Sequence, residues 1–142
     1  MMKQTKTIFL ISKIREKANK FILADLAQHG ITNLAPSHGD ILACLYQRER
    51  VTMKEIADAI RRTKPTVTVL VNKLAELGLV QKLQAAEDSR VVYVELTEQG
   101  KALQKLFEKI SADLAQKVFQ NMDKEEIKKL EISLQKVLDN LE

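Results

Sequence analysis

The stretch that most constrains this chain runs from Thr63 to Gly78, TKPTVTVLVNKLAELG. Thr63 offers a hydroxyl to the orphan amides of a following helix. Pro65 falls in the first turn, where its missing N–H costs little. Val67, Leu70, Val71, Leu74 and Leu77 recur at three- and four-residue steps and give the helix one apolar face. Gly78 stands where a left-handed cap is needed. The opposite face carries Lys64, Thr66, Thr68, Asn72 and Lys73, with no carboxylate before Glu76. A helix with that face, opening on hydroxyls and a lysine, is built like one that enters a DNA major groove. Alone, it is also the description of an ordinary amphipathic surface helix, so its context decides.

Upstream, Thr52-Met53-Lys54-Glu55 is a capping box. Met53, Ile56, Ala57 and Ile60 make a short helix that ends at Arg61-Arg62. Residues 53–77 therefore read as helix, tight turn, helix. Downstream, Leu79–Gln84 and Val91–Leu96 flank the polar break Ala85-Ala86-Glu87-Asp88-Ser89-Arg90, which predicts a β-hairpin. A hairpin directly after a helix-turn-helix is a wing, and an arginine at its tip suits a narrow minor groove.

Thr7 to about His29 reads as a first helix, striped by Ile8, Ile11, Ile14, Ala18, Phe21, Ile22 and Leu26 and ended by Gly30. A helix near 22 residues reaches about 33 Å. Ser37-His38-Gly39-Asp40 offers a variant capping box for a second helix, with Ile41, Leu42, Cys44 and Leu45 inward, ending near Arg48. Arg50-Val51-Thr52 is a short extended piece. Thr97 caps a helix whose stripe runs Leu103, Leu106, Phe107, Ile110, Leu114, Val118 and Met122. Asp123-Lys124-Glu125-Glu126 opens the last, striped by Ile127, Leu130, Leu134, Val137, Leu138 and Leu141. These long stripes exceed what the winged unit can cover, so a second copy of the chain is expected to cover them in a symmetric homodimer. The expected architecture is mainly α with a small β-hairpin wing (α+β). The winged lobe spans 37–97, and 1–36 plus 98–142 form a helical dimerisation region, all within one chain of 1–142.

Composition narrows the function. The 142 residues are 45% hydrophobic and 30% charged, enough to bury a core. The net charge of +4 is uneven: residues 1–47 and 48–94 each carry about +3, and residues 95–142 about −2. That fits a local basic surface, not a polybasic coat. No apolar run approaches the ~20 residues of a membrane span. The cations before the N-terminal apolar patch are followed by Lys13, Arg15, Glu16 and Lys17 without a small-residue cleavage site, unlike a signal peptide. A single cysteine, Cys44, excludes an internal disulfide framework and points to a reducing cytoplasm. There is no phosphate loop, nucleophile–base arrangement or zinc pattern, so neither enzyme activity nor a cofactor is expected. The two histidines are too few for a metal site, and His29 beside Gly30 suits a helix-dipole partner.

Two stretches, TVTVLVNKLAELGLV (Thr66–Val80) and EDSRVVYVELTEQG (Glu87–Gly100), between long flanking helices, resemble the MarR family of bacterial winged helix-turn-helix regulators. The second holds the family's wing pattern, Asp-x-Arg, a strand and Leu-Thr-x-x-Gly. The resemblance implies a homodimeric repressor on a near-palindromic double-stranded operator, released by a small-molecule or redox signal. On that reading Lys64, Thr66 and Thr68, after Thr63, face base edges and nearby phosphates. Arg61, Arg62, Lys73 and Lys82 lie near the backbone. Arg90 enters the minor groove beside Ser89, and Asp88 holds it in place. The chain departs from the family at Val69 and Lys73, where arginine is frequent, at Asn72, where an acid is frequent, and at Ser89 and Lys82, again positions of arginine. Fewer arginines predict a shallower salt dependence. An effector, favoured as a small anionic aromatic, would meet Arg15, His38, Cys44 and Tyr46 in a cleft. Cys44, among Ile41, Leu42 and Leu45, also reads as inert packing. The rival is a winged helix serving as a protein-interaction or architectural DNA-binding module without effector response. Such a module should carry aromatic anchors on the 63–73 face, and that face has none.

Overall fold

In the computed structural model, residues 5–142 are described; Lys3, part of the N-terminal cation patch weighed above, lies outside them. The elements in order are α1 (Thr7–Gln28), α2 (Pro36–Gln47), β1 (Val51–Thr52), α3 (Met53–Ile60), α4 (Lys64–Glu76), β2 (Val80–Gln84), β3 (Val92–Leu96), α5 (Glu98–Ala102), α6 (Gln104–Val118) and α7 (Lys124–Asn140). The chain divides into two compact units, Met1–Ile110 and Ser111–Glu142.

The first unit is built around α4. Val67, Val71 and Leu74 are fully buried, as the apolar stripe requires, against Ile41, Leu42 and Leu45 of α2, Ile56 of α3 and Val94 of β3. Each such side chain contributes about 1.5–3 kcal/mol relative to exposure. Truncating Leu74 to alanine would cost about 2–5 kcal/mol, because the removed methyls leave a cavity among neighbours that cannot collapse into it. Leu26 of α1 is buried, and α1 packs on α2. The first half of α1 keeps Ile8, Phe9, Leu10, Ile11 and Ile14 exposed.

The caps explain where helices begin. At α3, Thr52 Oγ1 accepts from the Glu55 N–H at 3.0 Å and the Glu55 carboxylate accepts from the Thr52 N–H at 3.3 Å, satisfying two orphan donors reciprocally. Thr63 Oγ1 accepts from the Thr66 N–H at 3.4 Å, and Pro65 sits in the first turn of α4. Gly78 ends that region at φ +76°, a conformation in which a Cβ is strained.

The structure corrects or extends four expectations. First, α2 begins one residue before Ser37: Pro36 takes the first helical position, Ala35 precedes it, and the Ala35 N–H donates to His38 Nδ1 at 2.9 Å. His38, not Asp40, supplies the reciprocal cap, because Pro36 presets the helical φ. Second, the expected hairpin wing forms and gains β1 as a third strand. Strand order is β1-β3-β2, all antiparallel, with Val51 opposite Val94 and Val94 opposite Lys82. Third, the helix capped by Thr97 breaks at Leu103 into α5 and α6, and Met122 falls beyond the end of α6, after Asn121 at φ 64°. Fourth, Ala85 of the polar break is buried and its N–H donates to the Val91 carbonyl at 2.9 Å, closing the hairpin.

In the second unit, Asp123 Oδ1 accepts from the Glu126 N–H at 2.8 Å and starts α7. None of the α7 residues is buried. Leu130, Leu134, Leu138 and Leu141 follow one another at four- and three-residue steps and all are exposed.

Candidate nucleic-acid interface

The start of α4, the start of α3 and the wing enclose one concavity of about 480 Å³. It is lined by Thr52, Met53, Lys54, Lys64, Thr68, Lys82, Arg90, Val91 and Val92. Four of those nine residues are cations and none is a carboxylate, so the potential within it is positive. Each member has a local reason to be there. Lys64 opens α4 after the Thr63 cap. Lys54 sits inside the Thr52–Glu55 box, its side chain unconstrained by the cap. Lys82 is on β2 opposite Val94, and its Nζ donates to Asn72 Oδ1 on α4 at 2.6 Å. Asn72 thereby ties wing to helix through a neutral oxygen. An acidic residue there would neutralise Lys82.

Arg90 projects from the wing tip with its side chain 89% exposed. Its Nε and Nη2 donate to the two oxygens of Asp88 at 3.1 and 3.2 Å. The Arg90 backbone N–H also donates to Asp88 Oδ1, at 3.0 Å. Asp88 is thus both the turn residue and the clamp of the guanidinium, and the hydrogen bonds from Arg90 hold its carboxyl below the usual carboxylate range. Ser89 takes part through its backbone: its carbonyl accepts from Gln84 Nε2 at 2.7 Å.

Thr63, Thr66 and Thr68 spend hydrogen bonds within the protein. Thr63 Oγ1 donates to Thr66 Oγ1 at 2.9 Å, and Thr68 Oγ1 donates to the Lys64 carbonyl at 3.0 Å. Arg61 adopts a left-handed backbone, φ 55°, and makes the tight turn between α3 and α4. Arg62 and Lys73 are not brought to the concavity. Arg62 Nη2 donates to Ser37 Oγ at 2.9 Å, and the Lys73 charge faces His38. The sequence reading missed Lys54, which it used only as the interior of a capping box. Other cations nearby are committed elsewhere: Arg48 pairs with Glu55. Arg50 pairs with Glu95 at 3.4 Å and lies over the Tyr93 ring at 5.3 Å.

The four effector candidates separate. Tyr46 donates its hydroxyl to the Gly100 carbonyl at 3.1 Å, and burial, aided by the Glu108 charge, pushes its pKa to about 12. His38 is buried and its Nδ1 is occupied by the Ala35 N–H. Burial and the Lys73 charge push its pKa down, so it is held neutral. Burial, with the Asp40 charge, pushes the Cys44 thiol up, away from the reactive thiolate. Asp40 itself is pushed up by burial, against the charges of Arg15 and Arg62. Arg15 and Cys44 therefore share Asp40 as a neighbour, and Tyr46 belongs to another contact. Among the described residues no group of three or more His, Cys, Asp or Glu could hold a metal ion, and no helix is long and apolar enough to cross a membrane.

Comparison with known proteins agrees with this geometry. The MarR family model matches residues 34–92, from the end of the α1–α2 connector to the wing. Among curated relatives, the transcriptional repressor IacR of Pseudomonas putida is 28% identical over 102 residues, 72% of this chain and 61% of that protein. MhqR of Bacillus subtilis is 24% identical over 98 residues, 69% and 66%. YhjH of the same organism is 30% identical over 80 residues, 56% and 46%. The matches thus span about half to two thirds of these relatives. Among solved structures, the Staphylococcus aureus MepR–DNA complex superposes with a TM-score of 0.87 at 26% identity, over 97% of this chain and 99% of that one. A mutant E. coli MarR complexed with operator DNA shares the fold at TM-score 0.81 and 22% identity, over 96% and 99%. With the helix-turn-helix, the three-stranded wing and the Asp88–Arg90 tip in place, residues 34–92 match the MarR family model and the chain as a whole shares the fold of MarR-type regulators.

Proposed function

We propose that the chain is a sequence-specific double-stranded-DNA-binding transcriptional regulator, a homodimeric repressor on a near-palindromic operator. The observation that carries this reading is the concavity lined by Lys54, Lys64, Lys82 and Arg90 without a carboxylate. It is flanked by an exposed helix face suited to a major groove and a wing tip suited to the adjacent minor groove. The DNA held by MepR and by E. coli MarR in their structures supports it. Arg61, Arg62 and Lys73, outside the concavity, would serve the flanking backbone.

The exposed apolar residues of α1 and the exposed leucine stripe of α7 support the homodimer, since a monomer seldom leaves such area uncovered. In that arrangement 1–36 and 98–142 supply the dimerisation body and 37–97 the DNA-binding lobe. Release by a small aromatic acid, with Arg15 as its cation beside Asp40, is the input favoured by the charges at that point. A rise in melting temperature with aromatic acids, absent in Arg15→Ala, tests it.

The deciding experiment is selection from random duplex DNA at moderate salt, followed by sequencing. A near-palindrome with half-site centres ~10 bp apart, bound by a species of twice the 16.1 kDa chain mass, is the expected result. Binding that is weak, indifferent to sequence and erased by salt would overturn the proposal in favour of an architectural role.

A further inference from the structure

Val69 is exposed to 68% of its surface in the middle of α4. Among the described residues, every other exposed large hydrophobic side chain lies either in α1 or at Val118 and beyond. Within the winged lobe it stands alone. Helical spacing puts Val69 opposite the buried Val67, Val71 and Leu74, with Thr66 and Asn72 three residues away and Lys73 four. Its polar neighbours are occupied inside the protein: Thr66 by Thr63, and Asn72 by Lys82. The most prominent uncommitted feature of the outward face is therefore a branched hydrocarbon. Valine is also a poorer helix former than alanine, so local helix stability gives no reason for it at an exposed site.

We infer that Val69 is a specificity-determining residue that reads the C5-methyl of a thymine in the major groove. This rests on the reading of α4 as a recognition helix. Thymine presents the one apolar group on the major-groove edge of a base pair. A valine pressed there excludes water without offering a hydrogen bond. Against guanine or cytosine it would leave N7, O6 or N4 desolvated and unpartnered. The same contact, repeated in the second half-site, places one required thymine in each half of the operator.

The test uses the full chain and the operator recovered by selection. Each symmetric pair of thymines is replaced in turn by deoxyuridine, which removes only the methyl. Burial of one methyl is worth about four-fold in affinity, so one pair of positions should weaken the wild type by about fifteen-fold. Val69→Ser, and independently Val69→Asn, should lose that sensitivity to below two-fold at the same pair. Both should keep the wild-type circular dichroism, the site having no core contacts to lose. A sequence-specific operator with no methyl-sensitive pair, or a sensitivity that survives both substitutions, overturns the inference and leaves the regulator standing. Sequence-indifferent binding by the wild type overturns both.

Discussion

Arg90→Ala isolates the wing's contribution. In the free protein the substitution removes a solvent-screened, exposed ion pair, so the fold should survive with little change in stability. On DNA the consequence is larger. Four cations line the concavity, hence eight in a dimer. If each neutralises one phosphate, log K falls against log salt with a slope of about −7. Deleting Arg90 removes two of the eight and should bring the slope to about −5.4. By the same relation, affinity at 0.15 M salt should fall about thirty-fold. Asp88 sharpens the effect, because it loses the guanidinium that now clamps both its oxygens and is left as a bare carboxylate at the tip. Asp88→Asn is the control. It keeps an oxygen for the Arg90 backbone N–H and keeps Arg90, so its slope should stay within about 0.5 of wild type. Fluorescence anisotropy of the labelled operator between 50 and 300 mM KCl measures both. A slope for Arg90→Ala within 0.5 of wild type, with affinity changed less than three-fold, would refute the placement of Arg90 on DNA.

Three further outcomes follow from the packing. Gly100→Ala should destabilise the chain by about 3 kcal/mol in guanidinium unfolding, the upper end of the usual cost of overpacking, because its Cβ would lie 2.1 Å from the Leu79 carbonyl oxygen, backbone against backbone; a loss under about 1 kcal/mol would contradict the contact. Arg61→Gly should raise stability by about 1 kcal/mol by relieving the left-handed residue between α3 and α4 while weakening operator binding, so a lower unfolding midpoint would count against strain there. His38, whose folded pKa lies below the unfolded 6.5, contributes stability that is complete above about pH 6.5 and lost as pH falls through its lowered folded value. Asp40, raised from 3.8, acts in the opposite sense at lower pH, so the difference between wild type and His38→Gln is what should slope as pH falls below 6.5; parallel melting curves would refute the assignment.

Much of the fold is written in caps and periodicity. Thr52–Glu55, Thr63 and Asp123 fix three helix starts with local chemistry alone, and each forms the predicted hydrogen bond. The stripe of α4 buries the residues its spacing selects. What stayed hidden depends on contacts distant in sequence. Only Gly100, three residues upstream, hints at the break at Leu103. Just before it, α5 is held against the sheet by Tyr46 on the Gly100 carbonyl and by Thr97 Oγ1 on the Gly78 carbonyl at 2.6 Å. The two residues of β1 are legible as extended, but only their partner β3 makes them a strand.

The candidate site was legible in residue type and less so in allegiance. A sequence counts nine cations between Arg48 and Val94 and cannot say which of them already have a protein partner. The fold sorts them. Arg48 and Arg50 are paired with Glu55 and Glu95, and Arg62 is tied to Ser37. Lys54, Lys64, Lys82 and Arg90 converge on one concavity. Of these, Lys82 is held by the neutral Asn72, and Arg90 by an aspartate two residues away on an exposed tip. A neutral partner such as Asn72 positions a cation without cancelling its charge and yields easily to phosphate. This is why Asn72 matters more than its lack of charge suggests. Asn72→Asp would keep the bond to Lys82 and quench the positive charge between helix and wing. By the same counterion accounting, that is equivalent to removing one more phosphate contact from each half-site.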